Sequence, residues 1–389
     1  MDFSQTLNLW PEHLVRELML QSGPEDVRHA IRSDNPSPRD LAALLSTSAI
    51  PYLEDMARVS NQLTRYHFGR TISLFAPIYL SNVCTSDCAY CCYAVGAGMK
   101  GKRRTLTESE IHAECQALAD QGFQSVVLLT GDAPRVATME YLETAVTIAR
   151  EYFVSVSVEV YALDKEDYQR LVDHGLEGVT LFMETYHRET YAVVHPRGKK
   201  RDFDYRLAAS ERAGRAGVRR LGIGALLGLY DWRIDGFWAA LHAKYLQKDC
   251  WQSVVSISFP RLHHPPSRYT TGPKLPSDGE FVQLILAMRL FLPEVGFCLS
   301  TREKPDLRDN LIPLGITQMS AGSSTRPGGY SSYGEETLSQ FEIEDRRNPA
   351  QVVGAIRSAG YDPVWKDFDH SFFGETGNGS AHLIEERAI

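Results

Sequence analysis

Hydrophobic positions divide the chain into two parts with different periodicities. Up to about residue 70 apolar residues recur at helical spacing, as at Leu14, Leu18 and Met19, and Ser37 precedes an apolar segment over 41–45 in the way that a capped helix begins. This part of the sequence carries no strand pattern. It therefore predicts an N-terminal helical extension over residues 1–70.

From about residue 71, short apolar runs alternate with amphipathic segments. Eight runs are predicted to be strands, over 72–79, 126–129, 154–160, 178–182, 221–226, 254–259, 297–300 and 316–320. Helices are predicted between them, beginning at Thr107 with a capping box to Glu110 and continuing over 139–153, 164–174, 203–216, 234–248, 279–292 and 306–313. Alternating units indicate a parallel sheet, and eight of them favour a closed (β/α)8 barrel of the TIM type over an open sheet.

The sequence after the eighth strand is predicted to be a C-terminal helical tail. One helix is expected over 349–359, followed by an irregular stretch that contains Gly374, Gly377 and Gly379. The pattern thus divides the chain into a helical extension, 1–70, an α/β barrel, 71–325, and a C-terminal segment, 326–389, that covers the barrel.

Composition narrows the class of protein. The chain has 389 residues, of which 43% are hydrophobic, and its net charge of -8 disfavours nucleic acid as a partner. The short basic run over 100–104 lacks aromatic residues and is interpreted as a solvated loop. No apolar run approaches the ~20 residues of a membrane span, and the N-terminus lacks a signal-peptide pattern. We therefore expect a cytoplasmic protein without a membrane partner.

Three of the seven cysteines, Cys84, Cys88 and Cys91, form the pattern Cys-x3-Cys-x2-Cys directly after the first strand. In a reducing compartment, thiols this close together indicate metal binding rather than disulfides. A [4Fe–4S] cluster held by three thiolates keeps one iron open for a further ligand, as a catalytic cluster requires. A structural zinc site, which needs four ligands, and an inert cluster are the alternatives.

The remaining cysteines are given simpler interpretations. Cys92 adjoins the third clustered cysteine, and adjacent cysteines rarely reach one metal ion with good geometry, so Cys92 is predicted to be a spectator. Cys115, Cys250 and Cys298 are isolated in apolar or helical sequence and are predicted to be small buried hydrophobic residues. The clustered three lie where a parallel barrel carries its chemistry, at the C-terminal ends of the strands.

The cysteine loop, with Tyr90 before its third cysteine, resembles that of the radical S-adenosylmethionine superfamily. In that superfamily the open iron binds the amino and carboxylate groups of S-adenosylmethionine, and the reduced cluster cleaves it to a 5′-deoxyadenosyl radical. The resemblance implies a [4Fe–4S] cluster and S-adenosyl-L-methionine as cofactors, with Tyr90 beside them. It also implies a reduced flavodoxin or ferredoxin as the electron donor.

An ordered set of further motifs is similar to the aromatic amino acid lyases of this superfamily, and most of all to the 2-iminoacetate synthases. The motifs lie at 77–84, 130–131, 184–187, 222–229, 258–262, 300–303, 326–330 and 363–367. This resemblance implies cleavage of the Cα–Cβ bond of L-tyrosine to 2-iminoacetate and p-cresol, with a thiazole synthase of thiamin synthesis as a partner. The hydrogenase-maturation lyase of the same branch carries a second cluster on C-terminal cysteines, and no cysteine follows Cys298 here.

Three residues near strand ends are expected to contact the amino acid substrate. Arg302, after the seventh strand, has the forked guanidinium that suits a carboxylate, and the resemblance implies that it holds the substrate carboxylate together with Ser320. Tyr79, at the end of the first strand, matches a tyrosine close to the substrate. A surface ion pair is the alternative for Arg302, and packing inside the barrel is the alternative for Tyr79.

Four further residues are expected around S-adenosylmethionine. Asp132 matches a position, usually glutamate in the family, that meets the ammonium group of the cofactor, and Arg206 matches an arginine that pairs with its carboxylate. Glu159 on the third strand and Glu184 after the fourth are acidic residues of the barrel. Such residues are costly to bury unless they meet a ligand, so both are expected to contact the cofactor.

The sequence departs from the family pattern at three other positions. Cys92 replaces a glycine, Met183 a glutamine, and Tyr161-Ala162 a glutamine–proline pair. Met183 is expected to remove a polar contact near the ribose or the substrate, and Tyr161 to place a bulky ring there. Two alternatives therefore stay open: a lyase that acts on tryptophan or a modified tyrosine, and a non-enzymatic binding module stabilised by an iron–sulfur cluster or zinc.

Overall fold

The structure is a computed structural model that describes residues 2–269, 272–331 and 336–366. Its first part is helical, as the sequence predicts. The helices are α1 (Phe3–Leu9), α2 (Glu12–Gln21), α3 (Pro24–Arg32), α4 (Pro38–Leu45) and α5 (Leu53–Phe68), with a short 3-10 helix, Thr47–Tyr52, before the last of them.

Capping residues set two of the predicted helix starts. At α4 the Ser37 N–H donates to Asp40 Oδ2 at 2.7 Å, and the Asp40 N–H donates to Ser37 Oγ at 3.4 Å. At α6 (Glu108–Ala119) the Thr107 N–H donates to Glu110 Oε2 at 2.8 Å. Each contact satisfies a backbone donor that the first helical turn leaves without a partner, so both helices begin where the sequence predicts.

Eight parallel strands close into a barrel. They are β1 (Thr71–Ser81), β2 (Ser125–Thr130), β3 (Ser155–Glu159), β4 (Gly178–Thr180), β5 (Arg220–Gly224), β6 (Val254–Ser258), β7 (Gly296–Leu299) and β8 (Gln318–Ser320). Each strand pairs with the next along the chain, and β1 pairs with both β8 and β2. The predicted TIM-type (β/α)8 barrel is confirmed.

Helices connect the strands, and one connection differs from the prediction. They are α6, α7 (Met139–Tyr152), α8 (Lys165–Asp173), α9 (Arg188–Val194), α10 (Phe203–Leu207), α11 (Ala209–Arg215), α12 (Trp232–Asp249), α13 (Asp278–Phe291) and α14 (Pro305–Leu311), with 3-10 helices at Lys199–Arg201 and Ile312–Leu314. The single helix predicted over 203–216 is interrupted at Ala208. The polar, basic stretch before it has no apolar period, so α9 and the 3-10 helix Lys199–Arg201 escape prediction.

The chain after the barrel returns to its N-terminal rim. Helix α15 (Pro349–Ser358) leads into a ninth strand, β9 (Asp362–Val364), which pairs in parallel with the first residues of β1. The prediction of irregular structure after the last helix is wrong here, because three residues are too few to show a strand period. The predicted glycine-rich tail lies outside the described residues, and the three domain boundaries stay predictions.

The helical extension packs on one side of the barrel. Helices α4 and α5 contact α13, while α1 and α2 contact α12. Buried polar contacts join the same elements, because the Gln283 side chain donates to the carbonyls of Leu44 and Ser46 at 2.9 and 2.8 Å, and Trp238 donates to the Trp10 carbonyl at 2.9 Å. The extension therefore contributes to the core that surrounds the barrel.

Arg289 on α13 provides a test of this core. Its buried guanidinium donates to the carbonyls of Pro293, Val295 and Gly315 at 2.9, 2.8 and 2.7 Å. We predict that Arg289→Met lowers the free energy of unfolding by about 3 kcal/mol, because the buried carbonyls of Val295 and Gly315 and the half-buried carbonyl of Pro293 lose their donor. Urea denaturation measures the change. The exposed Arg58→Met is the control, expected to change stability by less than about 1 kcal/mol, and equal effects of the two variants would contradict the prediction.

Candidate active site

One cavity at the C-terminal ends of the strands collects every residue that the sequence predicted for the site. Its walls include Tyr79, Cys84, Cys88, Tyr90, Cys91, Asp132, Glu159, Glu184, Arg206, Arg302 and Ser320. These residues are far apart in sequence, but each follows or ends a parallel strand, and such strands all point to the same rim. The roles expected of the individual residues stay predictions.

Small residues keep the inside of the barrel open. TIM barrels are usually filled by bulky branched side chains, whereas Ser157, Gly178 and Ser256 line the cavity here. A Cβ atom at Gly178 would lie 2.2 Å from Ser157 Oγ, so the glycine makes room for the serine side chain that lines the cavity. The cavity therefore extends down between the strands and leaves room for ligands larger than an ion.

The cysteine loop packs against the loop that follows β2. The Thr85 N–H donates to the Asp132 carbonyl at 2.9 Å, and the Gly131 N–H donates to the Ser81 carbonyl at 2.8 Å. A Cβ atom at Gly131 would lie 2.2 Å from the Val83 carbonyl oxygen, a contact that no side chain tolerates. The glycine thus allows the two loops to meet and sets Asp132 beside the cysteines.

The basic run over 100–104, predicted to be a solvated loop, also supports the cysteine loop. Arg103 donates to the Asn82 carbonyl at 2.6 Å, and the Asn82 side chain accepts from the Arg104 N–H at 2.6 Å and donates to the Lys102 carbonyl at 2.9 Å. Lys102 and Glu336 form an ion pair on the surface. Residues 100–103 are exposed, as predicted for a solvated loop, and the run in addition anchors the backbone just before Cys84.

The thiols have the chemistry that an iron–sulfur cluster requires. Burial raises the pKa of Cys84, Cys88 and Cys91, to about 11 for Cys88 and about 12 for Cys91, so the thiols release their protons only when metal binds. Among the described residues, no three His, Cys, Asp or Glu side chains are placed to hold a single metal ion. Cysteine thiolates are the usual protein ligands of iron–sulfur clusters, and three of them leave one iron of a four-iron cluster without a protein ligand. The set fits a [4Fe–4S] cluster with an open iron.

Asp132 presents an unsatisfied acceptor to the cavity. Its Oδ2 accepts from Ser86 Oγ at 2.6 Å, but its Oδ1 and the neighbouring Thr130 Oγ1 are buried and have no hydrogen-bond partner among the described residues. A buried carboxylate oxygen without a partner is unfavourable. An ammonium group of a ligand would satisfy it, which fits S-adenosylmethionine.

A buried ion pair lies beside the cysteines. Glu184 Oε1 is 2.5 Å from Lys200 Nζ and 3.8 Å from an Arg206 nitrogen. Burial alone would raise the pKa of Glu184, but the Lys200 and Arg206 cations more than offset it and lower that pKa. Glu184 also has a left-handed backbone with φ of 70°, which is strained for a residue other than glycine. Lys200 escapes the sequence prediction, because its basic run resembles any solvated one.

Arg302 and Tyr79 both line the cavity, and each is held in place by a different neighbour. The Arg302 guanidinium lies 3.4 Å from the centre of the Phe341 ring, and within the described ranges no carboxylate is within ion-pair distance of it. Tyr79 donates its hydroxyl hydrogen to Gln340 Oε1 at 2.7 Å, and burial raises its pKa well above the usual value. Gln340 and Phe341 lie after β8 but outside the motifs at 326–330 and 363–367, so no sequence signal pointed to them.

Models of two families match the chain. The radical SAM superfamily matches residues 78–242, and the Biotin and Thiamin Synthesis associated domain matches residues 258–362. The chain is 43% identical over 349 residues to the 2-iminoacetate synthase of Salmonella typhimurium (strain LT2), covering 88% of this chain and 90% of that protein. Identity and coverage are the same for 2-iminoacetate synthase of Escherichia coli (strain K12). The chain belongs to the radical SAM superfamily, within the 2-iminoacetate synthase family.

Solved structures of the [FeFe]-hydrogenase maturase HydG share the fold of this family member. One has a TM-score of 0.84 and 32% identity, covering 91% of this chain and 80% of that chain. Another, from Carboxydothermus hydrogenoformans, has a TM-score of 0.81 and 30% identity, covering 93% and 82% of the two chains. The similarity extends over the helical extension and the barrel together.

Two predictions about positions around the radical SAM site need correction. Met183 packs in the main hydrophobic core instead of lining the cavity, so it removes no polar contact from a ligand there. Cys298, predicted to be a buried hydrophobic residue, is partly exposed and lines the cavity from β7. Tyr161 does line the cavity, and its hydroxyl donates to the Ala137 carbonyl at 2.6 Å, which holds the ring in place.

Cys92 lines the same cavity, and we predict that it is not a cluster ligand. The Cys92→Ala protein, reconstituted with iron and sulfide, is expected to keep the iron and sulfide content of the unchanged protein, because Cys84, Cys88 and Cys91 already supply three thiolates. Cys91→Ala is the matched control and is expected to lose the cluster. Loss of iron and sulfide from Cys92→Ala as well would overturn the assignment.

Glu159 makes the stability of the ligand-free protein depend on pH. Burial, with the nearby Glu184, raises the pKa of Glu159 to about 7. A raised pKa means that protonation stabilises the folded state below pH ~4.5, and this contribution is lost as the pH rises through about 7. We predict that Glu159→Gln removes about 3 kcal/mol of the decline in unfolding free energy between pH 5 and 8.5.

Urea denaturation at a series of pH values measures this effect. The exposed Glu108→Gln on α6 is the control and is expected to keep the pH profile of the unchanged protein. A Glu159→Gln profile that also matches the unchanged protein would show that the carboxyl titrates in its ordinary range.

Proposed function

We propose that this chain is a radical S-adenosylmethionine lyase that cleaves the Cα–Cβ bond of L-tyrosine to 2-iminoacetate and p-cresol, for the thiazole of thiamin. The observation that carries the proposal is the 43% identity to two 2-iminoacetate synthases over 88% of the chain. The cavity supports it, because cluster donors and an arginine suited to an amino acid carboxylate line the same walls.

The cofactor end of the cavity is assigned first. We assign the cluster to Cys84, Cys88 and Cys91, and the ammonium group of S-adenosylmethionine to Asp132. When bound, the two cofactors supply a 5′-deoxyadenosyl radical. Arg206 donates from its Nε to the Phe182 carbonyl at 2.7 Å, and its Nη2, 3.8 Å from Glu184 Oε1, makes no hydrogen bond there, so we assign its terminal nitrogens to the cofactor carboxylate. Tyr90, hydrogen-bonded to His195 at 2.8 Å, forms a rigid wall beside the cysteines.

The substrate end is assigned to Arg302, Ser320 and Tyr79. The Arg302 guanidinium carbon lies 3.4 Å from the centre of the Phe341 ring, a contact that uses none of its N–H groups and leaves them for a carboxylate. The Ser320 hydroxyl accepts from the Thr301 N–H at 3.1 Å, so its own hydrogen is available to the same carboxylate. Because its pKa is raised, Tyr79 stays neutral, and since its hydrogen goes to Gln340, its oxygen is free to accept a hydrogen bond from the substrate amino group. These contacts hold the amino acid by the groups that all amino acids share.

The segment over 336–341 closes this end of the cavity. The Lys102 N–H donates to the Glu336 carbonyl at 3.0 Å, and the Gln340 N–H donates to the Thr325 carbonyl at 2.9 Å, so both ends of the segment are tied to the barrel. Excluding water protects a reactive radical from side reactions. The segment therefore shields the cavity from water, in addition to supplying the Gln340 and Phe341 side chains.

We also propose partners and a location that follow from this chemistry. A reduced flavodoxin or ferredoxin would supply the electron, and a thiazole synthase would receive the unstable 2-iminoacetate. Thiols that hold a cluster need a reducing compartment, which favours the cytoplasm. No helix in the described part of the chain has the length and apolar character of a membrane span.

The decisive assay uses anaerobic, reconstituted protein with S-adenosylmethionine, dithionite and L-tyrosine. We predict that p-cresol and 5′-deoxyadenosine form together, measured by liquid chromatography. A parallel panel with L-tryptophan and modified tyrosines tests the alternative substrates that the bulky Tyr161 ring in the cavity wall suggests. 5′-Deoxyadenosine without p-cresol would contradict tyrosine as the substrate, and no binding of S-adenosylmethionine would favour a non-enzymatic binding module.

Arg302→Met provides the control for the substrate site in this assay. It is expected to lower kcat/KM for tyrosine by about 100-fold, because a charged hydrogen-bonded partner of the carboxylate is lost, while binding of S-adenosylmethionine is unchanged. The exposed Arg346→Met should leave both properties unchanged. Equal kcat/KM for Arg302→Met and the unchanged protein would remove Arg302 from the site.

A further inference from the structure

Lys200 is a buried cation in the wall of the cavity that holds the three cysteines. Its side chain is 14% exposed, and its Nζ lies 2.5 Å from Glu184 Oε1 and 5.7 Å from the centre of the Tyr90 ring. Burial and the nearby Arg206 act to lower the pKa of Lys200, but Glu184 and Cys88 outweigh them and raise it. Lys200 is therefore charged at neutral pH in spite of its burial.

The backbone around Lys200 is bound to the cysteine loop. The Asp87 N–H donates to the Arg197 carbonyl at 3.3 Å, and the Ala89 N–H donates to the Val194 carbonyl at 2.9 Å. Gly198 has φ of 93°, and a Cβ atom there would lie 2.2 Å from Ser86 Oγ. The segment over 194–200 and the cysteine loop thus form one packed unit, which holds the Lys200 charge at a constant place relative to the thiols.

The Tyr191 side chain also restrains this segment. Its hydroxyl donates to the Lys200 carbonyl, and its ring packs on His195, with 4.1 Å between the ring centres. His195 in turn forms a hydrogen bond with the Tyr90 hydroxyl. Tyr90 stands between Cys88 and Cys91 in the sequence. A lysine on a solvated loop would have none of these contacts. The geometry therefore indicates that the fold holds the Lys200 ammonium group at one position beside the cysteine loop.

The charge matters because a cluster held by three thiolates is negative and becomes more negative on reduction. Reduction adds one electron and breaks no bond, so a cation close by stabilises the reduced form more than the oxidised form. Lys200 Nζ lies 5.7 Å from the centre of the Tyr90 ring, and Tyr90 stands between Cys88 and Cys91 in the sequence, so the charge faces the part of the loop that carries two of the three thiols. Glu184, the partner of Lys200, acts with the opposite sign.

We propose that Lys200 is a positioning residue that keeps one positive charge beside the cluster site and raises the reduction potential of the [4Fe–4S] cluster held there. The proposal rests on the radical chemistry of the proposed function, and it is independent of which amino acid is cleaved. The negative charge of Glu184 partly compensates that of Lys200. The reduction potential with both residues therefore lies between the potential expected with Lys200 alone and the potential expected with Glu184 alone.

The test is an anaerobic redox titration of the full-length, reconstituted protein, followed by electron paramagnetic resonance of the reduced cluster, without tyrosine. Lys200→Met is expected to make one-electron reduction about tenfold less favourable, a shift of about 59 mV to more negative potential. Lys200→Arg should restore the original potential, and Glu184→Gln should shift it in the opposite direction. The exposed neighbour Lys199→Met is the matched control and should leave it unchanged.

The Lys200→Met/Glu184→Gln double variant keeps the test valid if Lys200→Met alone loads little iron, since it leaves neither member of the pair buried without its partner. Its potential is expected to be more negative than that of Glu184→Gln. A potential for Lys200→Met equal to that of the Lys199→Met control, or a double variant equal to Glu184→Gln, would overturn the proposal. Because the titration contains no tyrosine, failure of the p-cresol assay leaves this result intact and is distinguishable from it.

Discussion

The burial of opposite charges inside an open barrel is the constraint on which the site depends. Lys200, Arg206 and Arg302 face Asp132, Glu159 and Glu184 within one cavity, where water can screen them only weakly. Charges in such a place are tolerated when they are paired or when ligands complete their contacts. The close Glu184–Lys200 pair is complete by itself, whereas Asp132 and Arg302 each present an unused face. These two unpartnered charges are the reason why we propose Asp132 for the cofactor and Arg302 for the substrate.

Glycines and small residues make this arrangement possible. Gly131 and Gly198 let two separate loops approach the cysteine loop so closely that a single added carbon atom would collide with it. Serines and glycines inside the strands keep the barrel hollow, so the cluster loop at the rim and the polar interior share one space. The stability of the protein comes instead from the core between the strands and the helices, in which the helical extension takes part.

Local sequence patterns predicted some features well and others poorly. The capping residues Ser37 and Thr107 located their helices, since a cap acts within four residues of itself. The three-residue strand β9 was not predictable because it is too short to show a strand period, and the interruption at Ala208 leaves no mark in the helical pattern. The roles of Gln340 and Phe341 were not predictable because they depend on contacts with distant segments. Met183 shows the same limit: its neighbours along the chain reach the cavity, but its own side chain turns into the core.

The sequence by itself determined the class of fold, the cluster motif and the family, because strand and helix periods and the cysteine spacing are local properties of the chain. Only the tertiary structure decided which charges meet. Lys200 stands in the basic run 199–201, which carries no sequence signal for a site, yet its segment packs against the cysteine loop and its ammonium group is buried against Glu184. The reason is physical: an electrostatic interaction depends on distance and burial in space, and neither can be read from separation along the chain.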